Sequence, residues 1–140
     1  MANELRVVFD ANVLISALLL PRSLPRQAFD LACQAGKVLI SKETVVELHA
    51  VLSRPKFGRY ISIQQRDEFL TALMRDAELI EISQPIVACR DPKDDMYLEL
   101  GVNGAATHLV TGDDDLLILH PFRGIAILDA KAFFVQVLTQ

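Results

Sequence analysis

Tryptophan is missing from this chain of 140 residues, and aromatic residues of every kind make up only 6% of it. The two cysteines, Cys33 and Cys89, are too few for a disulfide framework and lack the spacing of a thiolate metal site. Three histidines, His49, His108 and His120, are too scattered to form a site with them. No apolar run approaches the roughly 20 residues of a membrane span; the longest, Val13 to Leu20, is interrupted by Ser16. The first residues, Met-Ala-Asn-Glu-Leu-Arg, carry acid before any apolar stretch, so no secretory leader is expected. Reduced thiols in a cytoplasmic protein are the corresponding expectation. Low-complexity tracts and Ser/Gly linkers are also lacking, and a chain that is 51% hydrophobic is no disordered tail. What is present is enough apolar residue for one compact domain over residues 1–140, with a core that needs no staple.

The net charge is −4, from 18 acids against 14 bases. A broad basic face for nucleic acid leans the other way. The excess, however, is local. With Asp10, Glu47, Asp94 and Asp113 set aside, acids and bases balance at 14 each, and the question becomes why those four acids stand where they do.

Apolar stretches and helix signals alternate along the chain. Glu4 to Asp10 reads as a strand, with Asn12 capping a helix that Pro21 ends. Leu24 to Ala35 reads as a helix stopped by Gly36 in a left-handed conformation, followed by a strand over Lys37 to Ile40. Ser41 caps a helix to about Ser53, Arg54 to Tyr60 is a basic loop, and Gln64 to Ala77 is helical. A third strand is expected at Leu79 to Ile82, and a helix opened by Asp91 and Pro92 runs to Asn103. Thr107 to Thr111 is a strand, Asp113 to Leu119 a short helix, Ile125 to Leu128 a strand and Ala130 to Leu138 a helix. This alternation predicts an α/β fold with a mostly parallel sheet covered on both faces, whose ligands collect beyond the carboxyl ends of the strands.

Each of the four acids has a plain structural role open to it. Asp10 lies in an almost wholly apolar strand–turn–helix unit, where a lone carboxylate costs several kcal/mol unless it caps the helix, is paired or binds metal. Glu47 sits on a helix flank leaning towards the core, or is an ordinary surface acid. Asp91 as cap explains one of the acids in Arg90-Asp91-Pro92-Lys93-Asp94-Asp95 but not the others; helical steps from Asp94 reach Leu98 and Gly101, which turns Asp94 inward. Asp113, Asp114 and Asp115 follow an apolar strand, where adjacent carboxylates raise one another's pKa unless a cation intervenes. Gly112 is expected to turn the chain sharply there. Jointly, four separate segments bring acid to one edge of one sheet. With no Cys or His among them, the donor set selects a hard cation, Mg²⁺ or Mn²⁺.

The ordered segments Val-Val-Phe-Asp10-Ala-Asn12, Ser41-x-x-Thr44-x-x-Glu47-Leu, Arg-Pro-Lys-Phe57, Arg-Asp91-Pro-Lys-Asp94-Asp95 and Leu-Val-Thr111-Gly-Asp113-x-Asp115-Leu-Leu resemble the PIN-domain ribonucleases. The likeness runs from about Val7 to Leu128 and is greatest to the branch of bacterial toxin components related to the VapC toxins. It implies a three-layer α/β/α sandwich around a parallel sheet and a Mg²⁺- or Mn²⁺-dependent endonuclease acting on RNA. It also implies a small antitoxin partner and a homodimer. By position, Asp10, Glu47, Asp94 and Asp113 match the family's catalytic quartet, and Asp115 an auxiliary acid. Asn12, Ser41 and Thr111 match polar residues that orient the carboxylates and the water. Counting back from Thr111 in the shorter VapC pattern makes Asp95 the third acid instead of Asp94, so both stand as metal ligands beside Asp10, Asp113 and Asp115. Gly101 stands where the family usually has Ala.

RNA needs positive charge to hold it. Arg54, Lys56 and Arg59, with Phe57 and Tyr60 interleaved, are the RNA-binding candidates; the alternative is a solvated loop anchored by two core aromatics. Two other functions compete. In an Asp-nucleophile phosphohydrolase, Asp10 would attack phosphate, but a second acid is usual two residues on, where this chain has Asn12. A catalytically silent module would bind RNA or antitoxin without turnover.

Overall fold

Val7, Val8 and Phe9 set apolar side chains on both faces of one strand, and both faces are buried. In the computed structural model, which describes residues 4–139, this is β1 (Leu5–Phe9). The expectation of a leader-free N-terminus rests partly on residues 1–3 and lies outside the described residues. The chain continues through α1 (Ala11–Leu19), α2 (Leu24–Ala35), β2 (Gly36–Ile40), α3 (Lys42–Leu52), α4 (Ile63–Asp76) and β3 (Glu78–Leu79). It closes with α5 (Asp95–Asn103), β4 (His108–Val110), α6 (Asp114–Leu117), β5 (Ala126–Leu128) and α7 (Ala130–Leu138). Every strand pairing is parallel, and the strand order is β3-β2-β1-β4-β5. This is the expected α/β/α sandwich.

Alternation along the strands divides the core into two layers. Val7, Phe9, Val38, Ile40 and Val110 meet α1, α2, α3, α4 and α7 in one apolar cluster. Val8, Leu39, Leu109 and Ile127 meet α5 and α6 in the other. The period-two switch of facing along each strand produces this division. The register aligns Val7 with Val38 and Phe9 with Val110, so β1, β2 and β4 end at one level. The order of strand addition reverses between β1 and β4: β2 and β3 are added on one side of β1, and β4 and β5 on the other. Ligands of open parallel sheets bind at such a switch point.

Several local expectations need correction. The cap of α1 is Asp10, whose carboxylate accepts from the Val13 amide, and not Asn12. Gly36 is extended, with φ −176°, not left-handed. Its glycine is needed for another reason: it lies against Leu5 in the register, and a Cβ would collide with the Leu5 carbonyl. The third strand is Glu78–Leu79, one residue earlier than expected and ending before Ile80. The helix expected from Asp91 begins as a 3₁₀ turn over Pro92–Asp94, so the direction of Asp94 is set by that turn and not by a helix face.

The candidate functional site

Asp10 follows directly on β1 and Thr111 directly on β4, at the switch point. Asp10 is 5% exposed, and each of its oxygens has a partner. Oδ1 accepts from the Val13 amide at 2.8 Å, and Oδ2 accepts the Thr111 hydroxyl proton. Burial pushes the Asp10 pKa up, the Thr111 and Val13 hydrogen bonds oppose this, and the charge of Asp113 adds to the rise. Thr111 is fully buried, and its oxygen also accepts from the Asp113 amide at 3.0 Å. One hydroxyl thus joins the ends of two strands to the start of α6. Asp113 caps α6 by accepting from the Asp115 amide at 2.9 Å.

Asp10, Glu47, Asp94 and Asp113 line a single cavity of about 150 Å³, together with Asn12 and Asp91. Two cations, Arg54 and Lys93, also line it. Glu47 comes from α3, which Ser41 starts by accepting from the Thr44 amide while the Thr44 hydroxyl oxygen accepts from the Ser41 amide. Asp94 is half-buried; burial and the neighbouring Asp113 carboxylate, with smaller effects from Asp91 and Asp10, raise its pKa to about 6. Like charges gathered in a half-enclosed space oppose ionisation.

Of the remaining expected residues, all but Arg54 lie outside the lining of this cavity. Asp95 is buried outside this cavity and accepts from the amides of Ala88 and Cys89 at 3.0 and 2.7 Å. Burial works against its charge, yet these amides hold its pKa below the usual carboxylate value. Asp95 belongs to a ladder on α5: Glu99 accepts from the Ile86 amide, and Asn103 from those of Ser83 and Gln84. Three polar side chains one turn apart therefore hold the extended segment 83–89 alongside the helix. Asp115 contributes its amide to Asp113, and its carboxylate is not among the groups lining the cavity. Ser41 is enclosed in its capping box and is not among the residues lining the cavity. Arg54 lines the cavity, while Lys56 and Arg59 line a neighbouring one.

Tyr97 was missed in the sequence. Its ring is buried at the cavity wall, and its hydroxyl accepts from the Ala11 amide at 3.2 Å, just beyond Asp10. Burial raises its pKa, and the charges of Asp10, Glu47 and Asp94 raise it further. The signal in the chain was its closeness to Asp94, which stands three residues before it at the start of α5.

A hard cation suits this donor set, which is oxygen only, anionic and half-enclosed. As they stand, no three His, Cys, Asp or Glu side chains among the described residues are already drawn together to hold a metal ion. Asp10 and Asp113 are turned towards local amides and Thr111, in keeping with the mutual repulsion of the acids. No helix among the described residues is long and apolar enough to cross a membrane.

The comparisons with known proteins agree with this architecture. An uncharacterized protein of Methanocaldococcus jannaschii, MJ1680, is 29% identical over 118 residues, covering 83% of this chain and 76% of that protein. The crystal structure of PAE2754 from Pyrobaculum aerophilum superposes with a TM-score of 0.65 at 15% identity, over 97% of this chain and 91% of that one. VapBC2 from Rickettsia felis, solved bound to a DNA fragment from their promoter, gives 0.60 at 14% identity, over 88% and 97%. At such identities the structures share the fold. Residues 6–115, from β1 to the start of α6, match the family model of the PIN domain, and the chain therefore belongs to the PIN domain family, a family of nucleases.

Proposed function

We propose that this protein is a divalent-metal-dependent endoribonuclease and the toxin of a toxin–antitoxin pair. One observation carries the reading: four carboxylates from four separate segments line one cavity at the switch point of a parallel sheet. Asp10, Asp94 and Asp113 are the residues to hold Mg²⁺ or Mn²⁺, with Glu47 binding the ion or orienting its water. Asp95 is less suited, because it does not line the cavity and its Oδ1 accepts from two amides of segment 83–89. A bound divalent ion supplies an acidified water and neutralises charge gathering on the phosphate. The protein's own part is to fix the donors. Thr111 and the Val13 amide hold Asp10, the Asp115 amide holds Asp113, and the 3₁₀ turn presents Asp94. Arg54 and Lys93 on the same cavity suit the phosphates on either side of the bond to be cut.

The likeness to VapBC2 supports a small antitoxin as partner. A cytoplasmic location and a homodimer complete the proposal. The test is incubation of the protein with RNA and Mg²⁺. Products with 5′-phosphate and 3′-hydroxyl ends are expected, with cleavage lost in EDTA and restored by Mg²⁺ or Mn²⁺. Undiminished cleavage by a folded Asp10→Asn protein would overturn the assignment.

A further inference from the structure

Among the described residues, aromatic side chains are buried or half-buried with one exception. Tyr60 is 70% exposed, whereas Phe57, three residues earlier, packs against the apolar core. The two rings that alternate with basic residues in this segment therefore have different fates. Phe57 anchors the 3₁₀ turn Pro55–Arg59, and its ring carries the Lys56 ammonium 5.0 Å from its centroid. Tyr60 caps the turn with its ring in solvent.

Pro55, Lys56, Phe57, Arg59 and Tyr60 line a cavity of about 540 Å³. No acid lines it, and neither cation is in an ion pair among the described residues. Its first residue follows directly on Arg54, which lines the cavity of the four acids. From Arg54 to Tyr60 a 3₁₀ turn rises about 2 Å per residue, or about 12 Å in all, the reach of a short stretch of single strand. A flat exposed ring on a cavity shared with two cations that make no ion pair among the described residues is the chemistry that receives an unpaired base and its flanking phosphates. A base held within a duplex has both faces covered by its neighbours and cannot use it.

We propose that Tyr60 is a stacking platform for one unpaired base of an RNA strand next to the bond being cut, with Lys56 and Arg59 on the flanking phosphates. The proposal rests on the nuclease reading for its substrate, but its test does not depend on cleavage. Because the chain has no tryptophan, a Tyr60→Trp protein carries a single indole at the platform. In EDTA, a single-stranded RNA should quench its emission saturably, and a duplex of the same sequence should require at least ten-fold higher concentration. In Mg²⁺, Tyr60→Ala should raise KM for the single strand about ten-fold, the scale of one lost base stack, and change kcat less than two-fold. Tyr60→Phe, which keeps the ring, should restore the KM.

Equal quenching by duplex, or an unchanged KM for Tyr60→Ala, overturns the platform and leaves the nuclease standing. Quenching by single strands with no cleavage in Mg²⁺ supports the platform and removes the nuclease. Quenching by a poly-glutamate peptide but not by RNA overturns the proposal and assigns the loop to an acidic protein partner.

Discussion

Thr111 donates its hydroxyl proton to Asp10, 101 residues earlier, and this hydrogen bond closes the carboxyl ends of β4 and β1 over the switch point. The same oxygen accepts from the Asp113 amide, so one buried side chain organises two of the four acids. Thr111→Val keeps the shape but removes both bonds. It should cost about 1–3 kcal/mol in urea unfolding, the penalty for buried polar groups left unsatisfied. Because the hydroxyl stabilises the charged form of Asp10, its loss should also move the acidic limb of the activity profile to higher pH. Thr111→Ser should show neither effect in full.

Asp94 predicts a stability gain from a lost charge. Its pKa rises from 3.8 to about 6 on folding, so between those values the native state holds a proton that the unfolded chain releases. Stability from this group falls as pH rises through that window, and the penalty is complete above about 6. In EDTA at pH 7, Asp94→Asn should therefore raise Tm by roughly 3 °C. Added Mg²⁺ should stabilise the wild-type protein more than the variant. Cleavage by the variant should drop at least 100-fold with its circular dichroism unchanged.

His108 works in the opposite sense. It is buried between Thr107 and Gln136, with its ring edge-on to Phe133 at 5.1 Å. Burial lowers its pKa against a smaller upward pull from the Gln136 hydrogen bond. The unfolded chain thus takes up the proton first, and stability is lost as pH falls through the ordinary histidine value of 6.5 towards the lower folded one. The urea midpoint of the wild type relative to His108→Gln should decrease between pH 7.5 and 5.5. A constant difference would show that this histidine does not titrate on unfolding.

Arg54 and Lys56 predict an electrostatic effect separable from chemistry. Arg54→Glu and Lys56→Glu should each raise KM for RNA, and each should reduce the slope of log affinity against log salt by about 1. Filter binding at several salt concentrations measures it. Slopes equal to wild type would leave this turn as a solvated loop.

Asp95 should prove structural in its effect. Asp95→Ala frees the amides of Ala88 and Cys89 and removes one rung of the α5 ladder. A loss of about 1–3 kcal/mol is expected, along with faster hydrogen exchange over residues 83–89. Metal affinity should weaken less than in Asp94→Asn; the reverse order would return Asp95 to the ligand set.

Order, type and approximate extent of the elements were readable from the chain, because they depend on neighbours a few residues apart. Val-Val-Phe favours a strand buried on both faces, and Ser41 with Thr44 closes a capping box within four residues. The excess of acid was likewise visible as a local departure from charge balance. Three matters were not readable, since each depends on contacts between distant segments. Gly36 is required by the Leu5 carbonyl across the sheet. That Asp94 lines the cavity and Asp95 does not follows from a 3₁₀ turn and from amides in segment 83–89 that hold Asp95. The separation of Phe57 from Tyr60 follows from which ring the core had room for. Short-range propensity and periodicity choose strands and helices, but where a carboxylate or a ring points is decided by what the rest of the folded chain brings against it.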